Sequence, residues 1–231
     1  MPIIHDSEFG KITIRRSAKA SQIRVSVAPD GNLRASMPLY APIFLVKRLI
    51  KSSRDELHHM ITQSRPIQKY TNGMLIGKSH TLIIHNTEIG RPKAWRYGQH
   101  IMVNLPPGTT IDHPELSQEL REVIISSLRL EAKSYLPKRL AFLAKKMGFH
   151  YERVRFSHAS GRWGSCSTNG TISLNIALMK LPFELIDYVI IHELAHTQQM
   201  NHSHEFWNLV GRGDPDYRLH RHDLKTETPS I

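Results

Sequence analysis

The stretch that most constrains this chain is His192-Glu193-Leu194-Ala195-His196, with His202 six residues after the second histidine. Residues four apart lie one above the other on one face of an α-helix, so His192 and His196 point the same way. Two neutral imidazoles at that spacing suit a Zn²⁺ ion held at about 2.0–2.1 Å. Glu193 comes next along the helix surface, placed to act as a general base on water and not as a ligand. The preceding run, Phe183 to Ile191, is apolar except for Glu184 and Asp187, and a helix apolar on all sides is a buried one. Two histidines and a glutamate on such a helix are costly unless something satisfies them. A metal does so; hydrogen-bonded core histidines without a metal are the competing account.

The helix cannot supply a third ligand by continuing. Met200 would share the face of His192 and His196, and a thioether is a poor partner for zinc beside imidazoles. Asn201 tolerates the left-handed conformation that ends a helix, so a turn is expected there. His202 then follows as the third ligand, and Ser203 caps the next helix. His204 is the alternative, expected in the first turn of that helix and facing solvent; Glu205 is a further one.

The rest of the chain reads as an α+β protein in two parts. Residues 1–110 form a β-rich module. Ile12 and Ile14, then Ile23, Val25 and Val27, alternate with polar residues in the period of a strand. Asp30-Gly31 suits a tight turn into Leu33–Met37. Pro42 opens one helix through Phe44, Val46, Leu49 and Ile50 toward Leu57 and Met60. Strands follow around Met74–Ile76, Thr81–His85 and Gln99–Leu105. Residues 111–231 form the second part. Asp112 reads as the cap of a helix carrying Leu116, Leu120, Ile124 and Leu128 that Pro137 breaks or kinks; a second segment, Lys138–Met147, ends at Gly148. Val154–Phe156 and Thr171–Ile176 read as strands ahead of the histidine helix. No internal repeat is visible in the sequence.

Charge is uneven: residues 1–110 carry 16 Lys/Arg against 6 Asp/Glu, whereas residues 111–231 carry 15 against 14. A basic half of this kind is either a solvated face or a footprint for nucleic acid. No run reaches the roughly 20 apolar residues of a membrane helix. The single Cys166 and the lack of a basic-then-apolar leader lead to an expectation of a cytoplasmic protein without internal disulfides.

Several landmarks together resemble one family. They are Arg162-Trp163-Gly164-Ser165-Cys166, Leu174-Asn175, Leu181-Pro182, Asp187-Tyr188-Val189 leading into the histidine helix, Asn201-His202-Ser203, Phe206-Trp207 and Pro215-Asp216-Tyr217. They resemble the YgjP-like zinc metallopeptidases, densely over about residues 153–224, and more distantly the SprT-type proteases that act on DNA-bound proteins. The resemblance implies a zincin-like catalytic domain over 111–231 behind the β-rich module, acting on a protein or peptide substrate. His204 stands where the family varies.

In that reading Zn²⁺ polarises a peptide carbonyl and lowers the pKa of its water toward ~7, while Glu193 takes the water's proton and passes it to the leaving amine. Thr171–Ile176 is the candidate edge strand for holding substrate as an added strand. Arg162, His158 and Tyr217 are candidates to stabilise the oxyanion, and Cys166 is a structural thiol. The competing class is a nucleic-acid-associated binding protein with a structural zinc site, which would have four protein ligands on the metal instead of three.

Overall fold

The computed structural model describes residues 2–18, 20–27, 33–64 and 70–231. The chain divides into two compact units, residues 1–69 and 70–231. This division comes before the boundary expected at 110, because the strands between 75 and 105 share a core with the long helix that follows them.

In the first unit, β1 (Ile3–Asp6), β2 (Gly10–Ser17), β3 (Arg24–Val27) and β4 (Leu33–Pro38) form one sheet in the order β1-β2-β4-β3. The central pair is parallel, and each outer strand is antiparallel to its neighbour. Alternation decides the faces: Ile12, Ile14, Leu33, Ala35 and Met37 are buried with Val46, Ile50 and Leu57 of α1 (Ile43–Ser52) and α2 (Arg54–Ser64). The one helix expected from Pro42 is thus two. Ser53 leaves the helical region at φ −119, ψ 30, and Asp55 and Glu56 restart the helix, where carboxylates favour a first turn. Phe44, read as part of the apolar stripe, is exposed. The Asp30-Gly31 turn lies outside the described residues.

In the second unit, β5 (Leu75–Ile76), β6 (His80–Asn86), β7 (Lys93–Tyr97) and β8 (His100–Leu105) take the order β5-β6-β8-β7. Again the central pair is parallel and the outer pairs antiparallel. The topology of the first sheet is repeated, although no sequence repeat announces it. Ile76, Leu82, Ala94, Ile101 and Val103 share one core with α3 (Pro114–Met147).

α3 is a single helix of 34 residues with Pro137 inside it, not the two segments expected. Leu116, Leu120, Ile124, Leu128, Ala132, Leu136 and Leu140 recur every fourth residue and are all buried. Packing on both sides of Pro137 outweighs the roughly 3 kcal/mol that proline costs a helix interior. The helix ends where expected, at Gly148 in the left-handed conformation, with the Phe149 N–H donating to the Ala144 carbonyl at 2.9 Å.

From α3 the buried Glu131 carboxylate reaches back to the β5–β6 turn. It accepts from the backbone N–H groups of Lys78 (2.7 Å), Ser79 (2.9 Å) and His80 (3.2 Å), and pairs with His80 Nδ1 at 2.6 Å.

A third sheet, β10-β11-β9, joins β9 (Arg153–Ser157), β10 (Gly164–Cys166) and β11 (Thr171–Asn175). β11, expected at an edge, lies in the middle, antiparallel to β10 and parallel to β9. The edge strand that contacts the histidine helix is β10. A 3₁₀ segment, Ile176–Lys180, leads into α4 (Phe183–Ala195), followed by α5 (His204–Gly213) and α6 (Tyr217–Asp223). Among the described residues no helix is long and apolar enough to cross a membrane.

Candidate metal centre

α4 is buried almost all round, as its composition requires: Leu185, Ile186, Tyr188, Val189, Ile190, Ile191, Leu194 and Ala195 are all in the core. Phe183 at its start is half exposed, under the Lys78 ammonium, and Glu184 beside it is exposed. The helix ends earlier than the turn expected at Asn201. Its regular part stops at Ala195 with His196 as cap, and the N–H groups of Thr197, Gln198 and Gln199 fold back on Leu194 and Ala195. Asn201 then accepts from the Ser203 N–H at 3.2 Å, and Ser203 caps α5 by accepting from the Phe206 N–H at 3.4 Å. These short-range bonds reverse the chain and return His202 to the helix it left.

His192, His196 and His202 form one cluster, with a ring nitrogen of each within 4.8 Å of the others. The Nε2 atoms of His192 and His202 are 3.2 Å apart. Ligands at 2.0–2.1 Å in a tetrahedron are separated by about 3.3 Å, so the pair already has metal-ligand spacing. His196 Nδ1 is bonded to the Gln199 carbonyl at 3.0 Å, which leaves its Nε2 as the free donor and fixes the ring. His192 Nδ1 is buried with no hydrogen-bond partner among the described residues, and its Nε2 is the nitrogen that faces His202. Burial, then the neighbouring histidines and Arg221, lower the His192 pKa to about 3. Burial likewise lowers that of His196. Neutral imidazole is the form a metal takes, so the donor set fits a zinc ion.

His204 stands apart, exposed and 3.0 Å from Asn208 across one turn of α5. The buried Phe206 lies beneath the cluster, its ring centroid 4.9, 4.5 and 4.7 Å from those of His192, His196 and His202. Trp207 stacks on His202 at 5.7 Å and on Tyr217 at 5.4 Å. The sequence offered Phe206-Trp207 only as part of a resemblance; their role is to wall the histidines.

Glu193 is 6% exposed. Burial raises its pKa to about 8, against the opposing pull of Arg162. Room for it comes from Gly164 at the start of β10: a Cβ there would stand 2.6 Å from Glu193 Oε1 and 2.7 Å from its Cγ. Gly164 is a site residue that motif reading quoted without a role. Asn175, fully buried, holds the approach to β10 by donating from Nδ2 to the carbonyls of Ala159 (2.6 Å) and Arg162 (2.9 Å).

Of the three oxyanion candidates, Arg162 acts electrostatically on Glu193, and Tyr217 borders the histidines through Trp207. His158 has its pKa lowered by burial and then by Arg121 and Arg129 of α3. Arg221, which sequence reasoning did not single out, places its guanidinium 4.6 Å over the Trp207 ring. The Cys166 thiol is pushed up to about 11 by burial and by Glu193, the behaviour of a structural thiol and not of a nucleophile.

A buried helix bearing two histidines and a carboxylate, with a third histidine returned by a tight turn, defines a metallopeptidase-type centre. The family model described as YgjP-like, metallopeptidase domain, matches residues 21–227, and the chain belongs to that family. No curated protein matches the chain. Among solved structures it is similar to the crystal structure of the metallopeptidase zymogen of Pyrococcus abyssi abylysin, at 27% identity and a TM-score of 0.37, over 39% of this chain and 91% of that one.

Proposed function

We propose that the protein is a zinc-dependent peptidase in which His192, His196 and His202 hold the metal and Glu193 is the general base. The observation that carries this is the three-histidine cluster with the Glu193 carboxylate buried beside it, in space that Gly164 vacates. A structural zinc is closed by four protein ligands, whereas a catalytic one keeps a position open. Three donors are grouped here among the described residues, and a purely structural site has no use for a buried carboxylate at position 193.

When bound, zinc supplies Lewis acidity and a water of lowered pKa. The chain's residues do the rest. The Glu193 carboxylate accepts a proton from water and delivers it to the leaving amine nitrogen. The substrate, a peptide or protein in extended form, lies along β10, the edge strand beside α4, by β-addition. Arg162 and Tyr217 meet the oxyanion, and the Phe206 and Trp207 rings exclude water behind the histidines.

The test is Glu193→Gln, which keeps size and removes the base. Peptidase activity is expected to fall by about 10²–10⁴-fold with zinc content unchanged, as read by metal analysis. Full activity in that variant removes Glu193 from the mechanism. Metal analysis of His202→Ala beside His204→Ala tests the third ligand: zinc is lost only in the first.

A further inference from the structure

The first unit's sheet has a second face, and the proposed catalysis does not use it. Strand register lays that face out in rows. Arg15, Ser36 and Arg24 are aligned across β2, β4 and β3; Thr13, Arg34 and Ser26 form the next row. Lys11 stands opposite His5 at the β1 edge. Lys11, Arg15, Arg24 and Arg34 are all exposed, and none of the four makes an ion pair with a described residue. Arg15, Arg24 and Ser36 also line an open cavity of ≈ 340 Å³ with Ser21 and Gln22.

No carboxylate stands on this face among the described residues. Asp6 and Glu8 are turned to Arg54 of α2, and Asp55 and Glu56 are on α2 itself. Phase accounts for the sorting. Arg16, one residue out of step with Arg15, donates its Nη1 to the Ala41 carbonyl at 2.9 Å and also to that of Leu39. The topology does not require arginines here either: the same-phase rows of the second sheet are Thr81-His100-Tyr97, Ile83-Met102-Trp95 and His85-Asn104-Lys93, without an arginine.

We propose that this face docks the sugar-phosphate backbone of duplex nucleic acid. Cations on one sheet face stand roughly 7–10 Å apart, two residues along a strand or two strands across, which suits successive phosphates and not one small anion. The interleaved Thr13, Ser26 and Ser36 hydroxyls are the neutral donors that phosphate oxygens accept from. None of the four strands contains Phe, Tyr or Trp, so the face offers no platform for stacking single-stranded bases, and binding is insensitive to sequence. Among the described residues Ile3 is its one exposed large apolar side chain, too little to insert into a membrane.

This surface is independent of the metal centre and is tested on the full chain. Anisotropy of a fluorescein-labelled random-sequence DNA duplex is followed as salt is raised, for the wild type and two variants. The variant R15Q/R24Q/R34Q removes three charges from the face; K47Q/R48Q/K51Q removes three exposed charges from α1. The face variant is expected to flatten the slope of log K against log salt by about 2.7, at ~0.9 per phosphate contact, and the α1 variant to leave it unchanged. Comparable binding of an RNA duplex supports backbone recognition. Equal losses in both variants, no binding at low salt, tighter binding of single strands, or equal competition by phosphatidylglycerol vesicles or polyglutamate would overturn the proposal.

Discussion

The two four-stranded sheets are built to one plan and differ in how their hairpins are held. In the first, the β1–β2 turn is tied by its own residue: Asp6 accepts from the N–H groups of Glu8 (3.0 Å) and Phe9 (3.2 Å). In the second, the β5–β6 turn is tied by Glu131, arriving from the middle of α3. Their open faces differ as well: arginines and hydroxyls in one, and in the other an apolar row, Ile83, Met102 and Trp95, between rows that carry His100 and Tyr97 on one side and His85, Asn104 and Lys93 on the other. One topology therefore serves a locally stabilised module with a charged face and a module fused to a long helix that underlies the metal centre. A sheet's order says little about its use; what packs on it, and what is left facing water, decides that.

The comparison can be broken first at the paired turn glycines. Gly10 and Gly77 both have positive φ, +66 and +73, but a Cβ at Gly10 meets nothing within 4 Å, whereas one at Gly77 stands 2.6 Å from Leu128 Cδ2 and collides with Glu131. Gly77→Ala should cost about 2–5 kcal/mol, combining left-handed strain with overpacking. Gly10→Ala should cost about 1–2 kcal/mol, from strain alone. Urea unfolding measures both, and equal costs would dissolve the distinction.

The anchoring carboxylates give the next contrast. Glu131→Ala leaves buried N–H groups without an acceptor and should cost about 3 kcal/mol; Asp6→Ala, at an accessible turn, should cost about 1 kcal/mol or less. The pH dependence follows in sign. Burial pushes the Glu131 carboxyl up, but the bonds from Lys78, His80 and Ser79 outweigh it and hold the pKa below the ordinary 4.5. Its stabilising contribution is therefore present above about pH 4.5 and lost as pH falls through the lower folded value. Unfolding followed down an acid series should lose less stability in Glu131→Gln than in the wild type.

The smallest change carries the same question to the metal centre, where Gly164 is needed for space. Gly164→Ala should displace Glu193 and lower kcat/KM by about 10²-fold with zinc content near that of the wild type, at an overpacking cost of about 1 kcal/mol. A fully active variant would mean that the carboxylate has other room.

Much of the centre was legible because its parts are local. The i, i+4 histidines, the apolar run before them, the Ser203 cap and the return of His202 depend on residues within about a dozen positions of each other, and α5 begins at His204 as its capping pattern requires. Misreadings arose where a local rule met a distant contact. Pro137 is a helix breaker by propensity, yet Leu136 and Leu140 are fully buried around it and the helix continues. Thr171–Asn175 has the alternation of an edge strand, but alternation reports faces, not neighbours, and β10 occupies the edge.

What the sequence determined by itself was periodicity and chemistry: which residues share a face, where helices are capped, and that three histidines at this spacing suit one metal, with a glutamate beside them. Only tertiary structure decided that Gly164 makes way for Glu193, that Glu131 holds a turn some fifty residues earlier in the chain, and that Phe206 lies beneath all three imidazoles. The division has a physical cause. Backbone periods and caps are set by bonds between near neighbours, whereas the space around a side chain is set by whichever distant segment packs against it.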